Sequence, residues 1–297
     1  MAQRPDILCI GSVLWDIIGR THLSLRLGAD VPGRITRLPG GVAMNIAMTL
    51  ARFGLRPALL TAIGRDAEGD EIVEVCQRLG LIADHVYRSP DLPTDRYMAI
   101  EGANGLIAAI ADAHSLEAAG ERILRALGDG TLGSVAVPWV GLIALDGNLT
   151  EALLAGIAGS ALFAKADLRL APASPGKAAR LAPLLSHSNS TLYVNLDEAR
   201  ILGHSDATTA AAAAAALLAR GARRVLVTDG GKACADGDAT GILTAVPRPV
   251  MVARVTGAGD TFMAAHIVAE RRGLGRLEAL QSALNAAAEY VSGDPMS

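Results

Sequence analysis

The regular succession of helix-like and strand-like segments after Ser115 constrains the fold more than any other feature of this sequence. Helical spacing over 115–127, 150–164 and 176–186 alternates with apolar runs at 140–145, 167–171 and 191–194. Strands separated by such helices pair in parallel through right-handed crossovers, and the resulting sheet needs helices on both faces. Ala210–Ala216 extends the pattern with the best helix former, and Arg223–Thr228 reads as a further core strand. Nearer the N-terminus, Ile7–Ile10, Pro57–Ile63 and Ile82–Arg88 read as strands and Asp66–Leu79 as an amphipathic helix. Asp95–Glu101 and Leu106–Ala111 read as strands, the first alternating like a sheet with one open face, and Gly102-Ala103-Asn104-Gly105 between them carries hairpin turn chemistry. No linker, charge block or repeat divides the chain, so residues 1–297 are expected to form a single α/β domain with a mostly parallel sheet.

Composition excludes several functions. A net charge of −3 and a pI near 6.1 leave no polyanion-binding surface, so nucleic acid is not expected as a partner. Mean hydropathy is high at +0.34, but aromatics make up only 3%, so the excess is aliphatic and mostly alanine. Uncharged runs such as Gly130–Leu145 and Ala207–Ala219 fall short of the roughly 18 apolar residues a membrane span needs. Met1–Asp6 leads straight into Ile7–Ile10 without a signal-peptide pattern. Cys9, Cys76 and Cys234 lie far apart in apolar settings, as reduced core cysteines would. A cytoplasmic enzyme is the expectation.

Candidate chemistry gathers at four stretches. Val255-Thr256-Gly257-Ala258-Gly259-Asp260-Thr261-Phe262 precedes the helical run Met263–Arg271. Glycines at a helix start let an anion approach free backbone N–H groups. A carboxylate there repels phosphate unless it has work to do. Asp260 is either a helix cap or a general base that takes a proton from an attacking hydroxyl. Pro39-Gly40-Gly41-Val42-Ala43-Met44-Asn45 opens a second helix on a glycine pair. Asp16, in an apolar stretch, needs a partner, either Arg20 or a substrate hydroxyl. Asn195 and Glu198, three apart after a strand, form either a capping box or a pair of oxygens that order the waters of Mg²⁺.

Together these stretches resemble the ribokinase-like (PfkB) carbohydrate kinases, through T-G-A-G-D-T-F, G-G-x-A-x-N-x-A and N-x-x-E in the expected order. The resemblance implies a three-layer sandwich with a small β lid, contributed by about 13–38 and 93–112, that often pairs with a second subunit's lid. It also implies ATP and Mg²⁺. Asp260 would be the base, with Gly257, Ala258 and Gly259 holding the transferring phosphoryl group. Ser12, Asp16, Gly41 and Asn45 would hold the acceptor, and Asn195 and Glu198 the magnesium. Lys177, Thr228, Gly230, Thr256 and, on the last helix, Asn285 would border the nucleotide. Arg254 stands where the family often carries a monovalent-cation Asp, and its fixed charge can replace that cation. Pro93–Ala99, Gly105–Asp112, Leu145–Leu149 and Pro172–Lys177 are most similar to the pseudouridine kinase branch. That similarity implies a nucleoside acceptor, with lid side chains such as Arg96 or Tyr97 facing its base. The rival readings are a free-sugar kinase and a non-catalytic binding homologue. A dinucleotide oxidoreductase is disfavoured because no G-x-G-x-x-G follows the first strand.

Overall fold

The structure, a computed structural model, describes residues 4–293; Met1–Gln3 of the N-terminal reading lie outside them. The chain opens with β1 (Ile7–Ile10), β2 (Leu14–Arg20), β3 (Arg34–Gly40) and α1 (Val42–Arg52). β4 (Pro57–Leu60), β5 (Ala62–Gly64), α2 (Ala67–Arg78) and β6 (Tyr87–Ser89) follow. β7 (Arg96–Gly102) and β8 (Gly105–Asp112) form a hairpin, and α3 (His114–Ala119) and α4 (Arg125–Gly128) lead to β9 (Leu142–Asp146). The alternating part comprises α5 (Glu151–Gly159), β10 (Asp167–Ala171), a 3₁₀ run Pro175–Leu184, β11 (Ser190–Asn195), α6 (Leu196–Gly203), α7 (Ala210–Ala219) and β12 (Arg224–Thr228). A hairpin of β13 (Cys234–Asp238) and β14 (Gly241–Ala245) precedes α8 (Ala258–Arg271) and α9 (Arg276–Ser292).

Eight strands form the main sheet in the order β14-β13-β12-β11-β10-β9-β1-β4, parallel from β12 to β4 and antiparallel at the β13–β14 edge. Period-two alternation sends Leu8 and Ile10 to one face, with α3, α5, α6 and α7, and Ile7 and Cys9 to the other, with α1, α2, α8 and α9. This is the expected three-layer α/β sandwich. A separate four-stranded sheet, β3-β2-β7-β8, takes the remaining long strands.

Local readings depart from the structure where tertiary contacts override pattern. The 57–63 strand breaks at Thr61, because Ala62–Gly64 leaves the main sheet to pair with Tyr87–Ser89. Of the predicted strand 82–88, Ile82 makes only an isolated bridge to Ala58. The 115–127 helix is broken at Gly120, whose φ is +53°. The 176–186 helix is a 3₁₀ run with Pro183 inside it, a residue that cannot donate to the helical ladder. The β13–β14 hairpin was not legible, since Cys234–Asp238 contains Asp and Gly, which disfavour strands in isolation.

Candidate active site

In a parallel sheet the strand ends and the helices that follow them converge on one edge. Here that edge brings together Ser12 after β1, Asp146 ending β9, Asn195 ending β11 and Thr228 ending β12. Asp146 is only 1% exposed and accepts from the backbone N–H groups of Ser12 (2.8 Å), Ala43 (3.1 Å) and Asn148 (2.8 Å). One carboxylate thus ties the loop after β1 to the start of α1. Val42 N–H donates to Ser12 Oγ (3.0 Å), as does Asn148 Nδ2 (3.1 Å), and Lys177 Nζ donates to Asn148 Oδ1 (2.6 Å). Lys177 therefore belongs to a chain ending on Ser12. The glycine pair has a steric cause. A Cβ on Gly40 would lie 2.1 Å from Asp16 Oδ2, and one on Gly41 (φ +94°) would lie 2.5 Å from Ser12 O.

Asn45, one turn into α1, donates from Nδ2 to Asp260 Oδ2 at 2.9 Å, joining positions 215 residues apart. Gly257 caps α8 in the left-handed region at φ +88°, and a Cβ there would lie 2.5 Å from the Tyr290 hydroxyl. That hydroxyl donates to Thr256 O (2.8 Å). Arg254 lies over the Tyr290 ring at 3.9 Å and donates from Nε to Tyr290 O (2.7 Å), so its charge is held beside the turn. Ala258 N–H is engaged by Val255 O (3.1 Å), whereas the N–H groups of Gly259 and Asp260 have no acceptor among the described residues. Gly257 N–H is likewise without an acceptor among the described residues, so of the Gly257-Ala258-Gly259 turn only the Ala258 N–H is engaged. Burial raises the Asp260 carboxyl to about 7, with Asp146, Glu198 and Asp16 adding repulsion against the donation from Asn45.

Asp16 has no hydrogen-bond or ion-pair partner among the described residues, and burial raises its carboxyl to about 6. Arg20 pairs with Glu101 instead (2.6 Å), which removes the internal one of the two partners considered for Asp16. Register explains why Arg96 is not brought to the site. β2 and β7 pair with Asp16 beside Tyr97 and Trp15 beside Arg96, so the two pairs face opposite sides. The Trp15 side packs on α2: Trp15 Nε1 donates to Glu68 O (3.0 Å), Arg37 covers the indole and pairs with Glu71, and Arg96 pairs with Glu68 (2.7 Å).

Asn195 and Glu198 form a reciprocal capping box at α6: Glu198 N–H donates to Asn195 Oδ1 (2.9 Å) and Asn195 N–H to Glu198 Oε2 (2.8 Å). Glu198 is 7% exposed, and burial raises its carboxyl. Beside it lies a hollow of about 260 Å³ bordered by Asn195, Arg200, Thr228, Gly230 and Lys232. Asn285 lines a different hollow, with Phe53, Gln281 and Glu289, and bonds to Gln281, so it is not grouped with Thr228 and Gly230.

The pfkB carbohydrate kinase profile matches residues 4–293. The chain belongs to the pfkB family of carbohydrate kinases. It is 28% identical over 272 residues to a pseudouridine kinase of Escherichia coli (strain K12), spanning 89% of this chain and 83% of that one. It is also 28% identical over 278 residues to a mouse ribokinase, spanning 89% and 81%. A solved carbohydrate kinase from Agrobacterium tumefaciens superposes with a TM-score of 0.79 at 27% identity, over 95% of this chain and 89% of that one. A ribokinase from Arabidopsis thaliana, at 22% identity, has the same fold with a TM-score of 0.77 over 97% and 93%. The protein is thus a sugar or nucleoside kinase, a phosphotransferase acting on a hydroxyl.

Two polar residues of this kinase were missed as site residues. Asp146 and Asn148 lie in the quoted Leu145–Leu149 stretch, where an Asp at the end of an apolar strand was the available signal. The far end of α8 is anchored by a buried ion network. Glu270 pairs with Arg169 and Arg224, Arg224 with Asp236 (2.8 Å), and Tyr193 Oη with His266 Nδ1 (2.8 Å). Burial pushes His266 down to about 4; Glu270, raised by burial but pulled harder by Arg169, falls to about 2. The helix bearing Asp260 is therefore held at both ends. Among the described residues no helix is long and apolar enough to cross a membrane.

Proposed function

We propose that this kinase transfers the γ-phosphoryl of ATP to the 5′-hydroxyl of pseudouridine, giving pseudouridine 5′-phosphate, with Asp260 as general base. The observation that carries the reading is the half-buried Asp260 carboxylate, held by Asn45 beside open N–H groups at a helix start. Its raised pKa suits a group that accepts a proton near neutrality. Gly259 and Asp260 N–H face the transferring group, and Asp16, Asn45 and the Gly40–Gly41 turn take the acceptor. The hollow at Thr228 and Gly230 takes the nucleotide, with Lys232 at its rim.

Mg²⁺ fits this site by its donor set. Asp146, Glu198 and Asp16 each repel the Asp260 carboxylate, so a cation near Asp260 is favourable. Mg²⁺ in kinase sites usually keeps several of its waters. Asn195 and Glu198 would orient those waters, and the ion would supply charge neutralisation on the phosphates.

The acceptor assignment is supported by the similarity to a pseudouridine kinase and is tested with an acceptor panel, reading ATP consumption. kcat/KM for pseudouridine is expected to exceed that for uridine by at least about tenfold, because pseudouridine donates from an extra N–H and an acceptor matched to it is left unpaired when uridine binds. Free ribose should be poorer still. A better rate with ribose or fructose would leave a kinase of different acceptor.

A homodimer through the second sheet, here read as a lid, is proposed as well. β8 is an edge strand exposed along its length, and Ile35, Met98, Ile100 and Ile110 are 77%, 46%, 45% and 69% exposed. Register puts these four on the side away from Asp16. A long apolar edge invites pairing with a second copy. Light scattering is expected to report a dimer that Ile110→Asp converts to monomer; a monomeric parent protein at micromolar concentration overturns this.

A further inference from the structure

The chain carries nine aromatic residues, of which Tyr97 alone lies on the Asp16 side of the second sheet. Its hydroxyl has no hydrogen-bond partner and its ring no ring or cation contact among the described residues. Elsewhere Trp15 is covered by Arg37, Tyr87 by Arg122, Trp139 by Arg4 and Tyr290 by Arg254. Tyr193 and Phe262 pack with His266, and Phe163 is in the core. Phe53 lines the separate hollow of Asn285.

Apart from Asp16, the side chains next to the half-buried Tyr97 ring on its face of the sheet are small or aliphatic, with Ile18 of β2 beside Ala99. On β8 Tyr97 pairs with Ala111, and the next position on its own face, Ala99, pairs with Ala109. Ala109 and Ala111 are exposed whereas Ala99 is 3% exposed, so a slot beside the half-buried Tyr97 ring opens on the β8 side. Across β2 the pair of Tyr97 is Asp16, the unpartnered carboxylate that closes on Gly40, and the carboxyl of Asp16 acts electrostatically on both Tyr97 and Asp260. A sugar whose hydroxyls meet Asp16 while its reacting hydroxyl meets Asp260 would carry any ring substituent toward this slot. A free sugar has no flat group to place there.

We infer that Tyr97 is the specificity-determining residue of this kinase, selecting acceptors that carry a planar base by stacking on it. The inference rests on the nucleoside reading above and adds the residue that enforces it. Arg96, one position away, cannot serve, because parity turns it to α2 and Glu68.

The test measures kcat/KM for pseudouridine, uridine and ribose in the parent protein and in Tyr97→Ala and Tyr97→Phe, with melting temperatures as a check on folding. Base stacking on an aromatic side chain corresponds to about 5- to 160-fold when removed. In Tyr97→Ala the ratio of nucleoside to ribose kcat/KM is therefore expected to fall by about that factor, mostly through KM. Tyr97→Phe, which keeps the ring, should hold the ratio within about threefold. An unchanged ratio in Tyr97→Ala overturns the inference whichever acceptor is best, as does an equal loss on all three acceptors. A Phe variant as poor as the Ala variant also overturns it, because the hydroxyl and not the ring would then make the contact. The parent protein's own ranking of acceptors tests the proposed substrate separately.

Discussion

Asp260→Asn is expected to lose roughly 10²–10⁴-fold in kcat while keeping its fold and its affinity for ATP. The amide retains an oxygen for Asn45 Nδ2, so the 2.9 Å bridge between α1 and α8 can survive, but it cannot take a proton. The pH dependence follows from the same residue. Burial raises the Asp260 carboxyl to about 7, so the basic form is scarce in acid and dominant in mild alkali. kcat/KM of the parent enzyme should rise about tenfold per unit up to that region and level off above it. The variant should lack this limb. The linkage sign for stability is opposite. A carboxyl whose folded pKa exceeds its unfolded value favours folding most below the unfolded value, and loses that contribution as pH rises through the folded one. At pH 8 the variant should therefore melt no lower than the parent. Near-parental turnover in Asp260→Asn would remove the proposed base.

Asp146→Ala carries the largest expected cost to the architecture of the site. At 1% exposure, its removal leaves the N–H groups of Ser12, Ala43 and Asn148 without an acceptor. An orphaned buried donor costs about 1–3 kcal/mol, so the total should be on the order of 3 kcal/mol even after the carboxylate's own desolvation is relieved. For a chain of 297 residues that corresponds to a fall in melting temperature of roughly 5 °C. Activity should fall further than unfolding explains, measured well below the melting range. The tie between the β1 loop and α1 sets where Asn45, and through it Asp260, stands. A variant with parental melting and parental kcat would show that neither loop depends on this carboxylate.

Asp146 also illustrates what was hidden in the linear chain. Its side chain serves Ser12 and Ala43, 134 and 103 residues away. No spacing rule connects those positions; the adjacency of β9 to β1 in the sheet does. Asp16 had two readings, an internal Arg20 or a substrate hydroxyl; strand register hands Arg20 to Glu101 and leaves Asp16 without a partner among the described residues. Asn195 and Glu198 were legible as a pair, and the capping box is the contact they make within the chain.

What the sequence determined by itself was whatever depends on short-range geometry. Helical and strand periods set the α/β layering, because each element must bury its own apolar face. The glycines at 40, 41 and 257 marked turns where a Cβ cannot stand, a restriction written in the residue itself. The alternation of Tyr97, Ala99 and Glu101 told which residues share a side of a strand. Only the tertiary structure decided which side faces Asp260, since that depends on how two sheets are oriented to each other. A shift of one residue in register would exchange Tyr97 for Arg96, reversing every side chain on the strand while leaving its local pattern untouched.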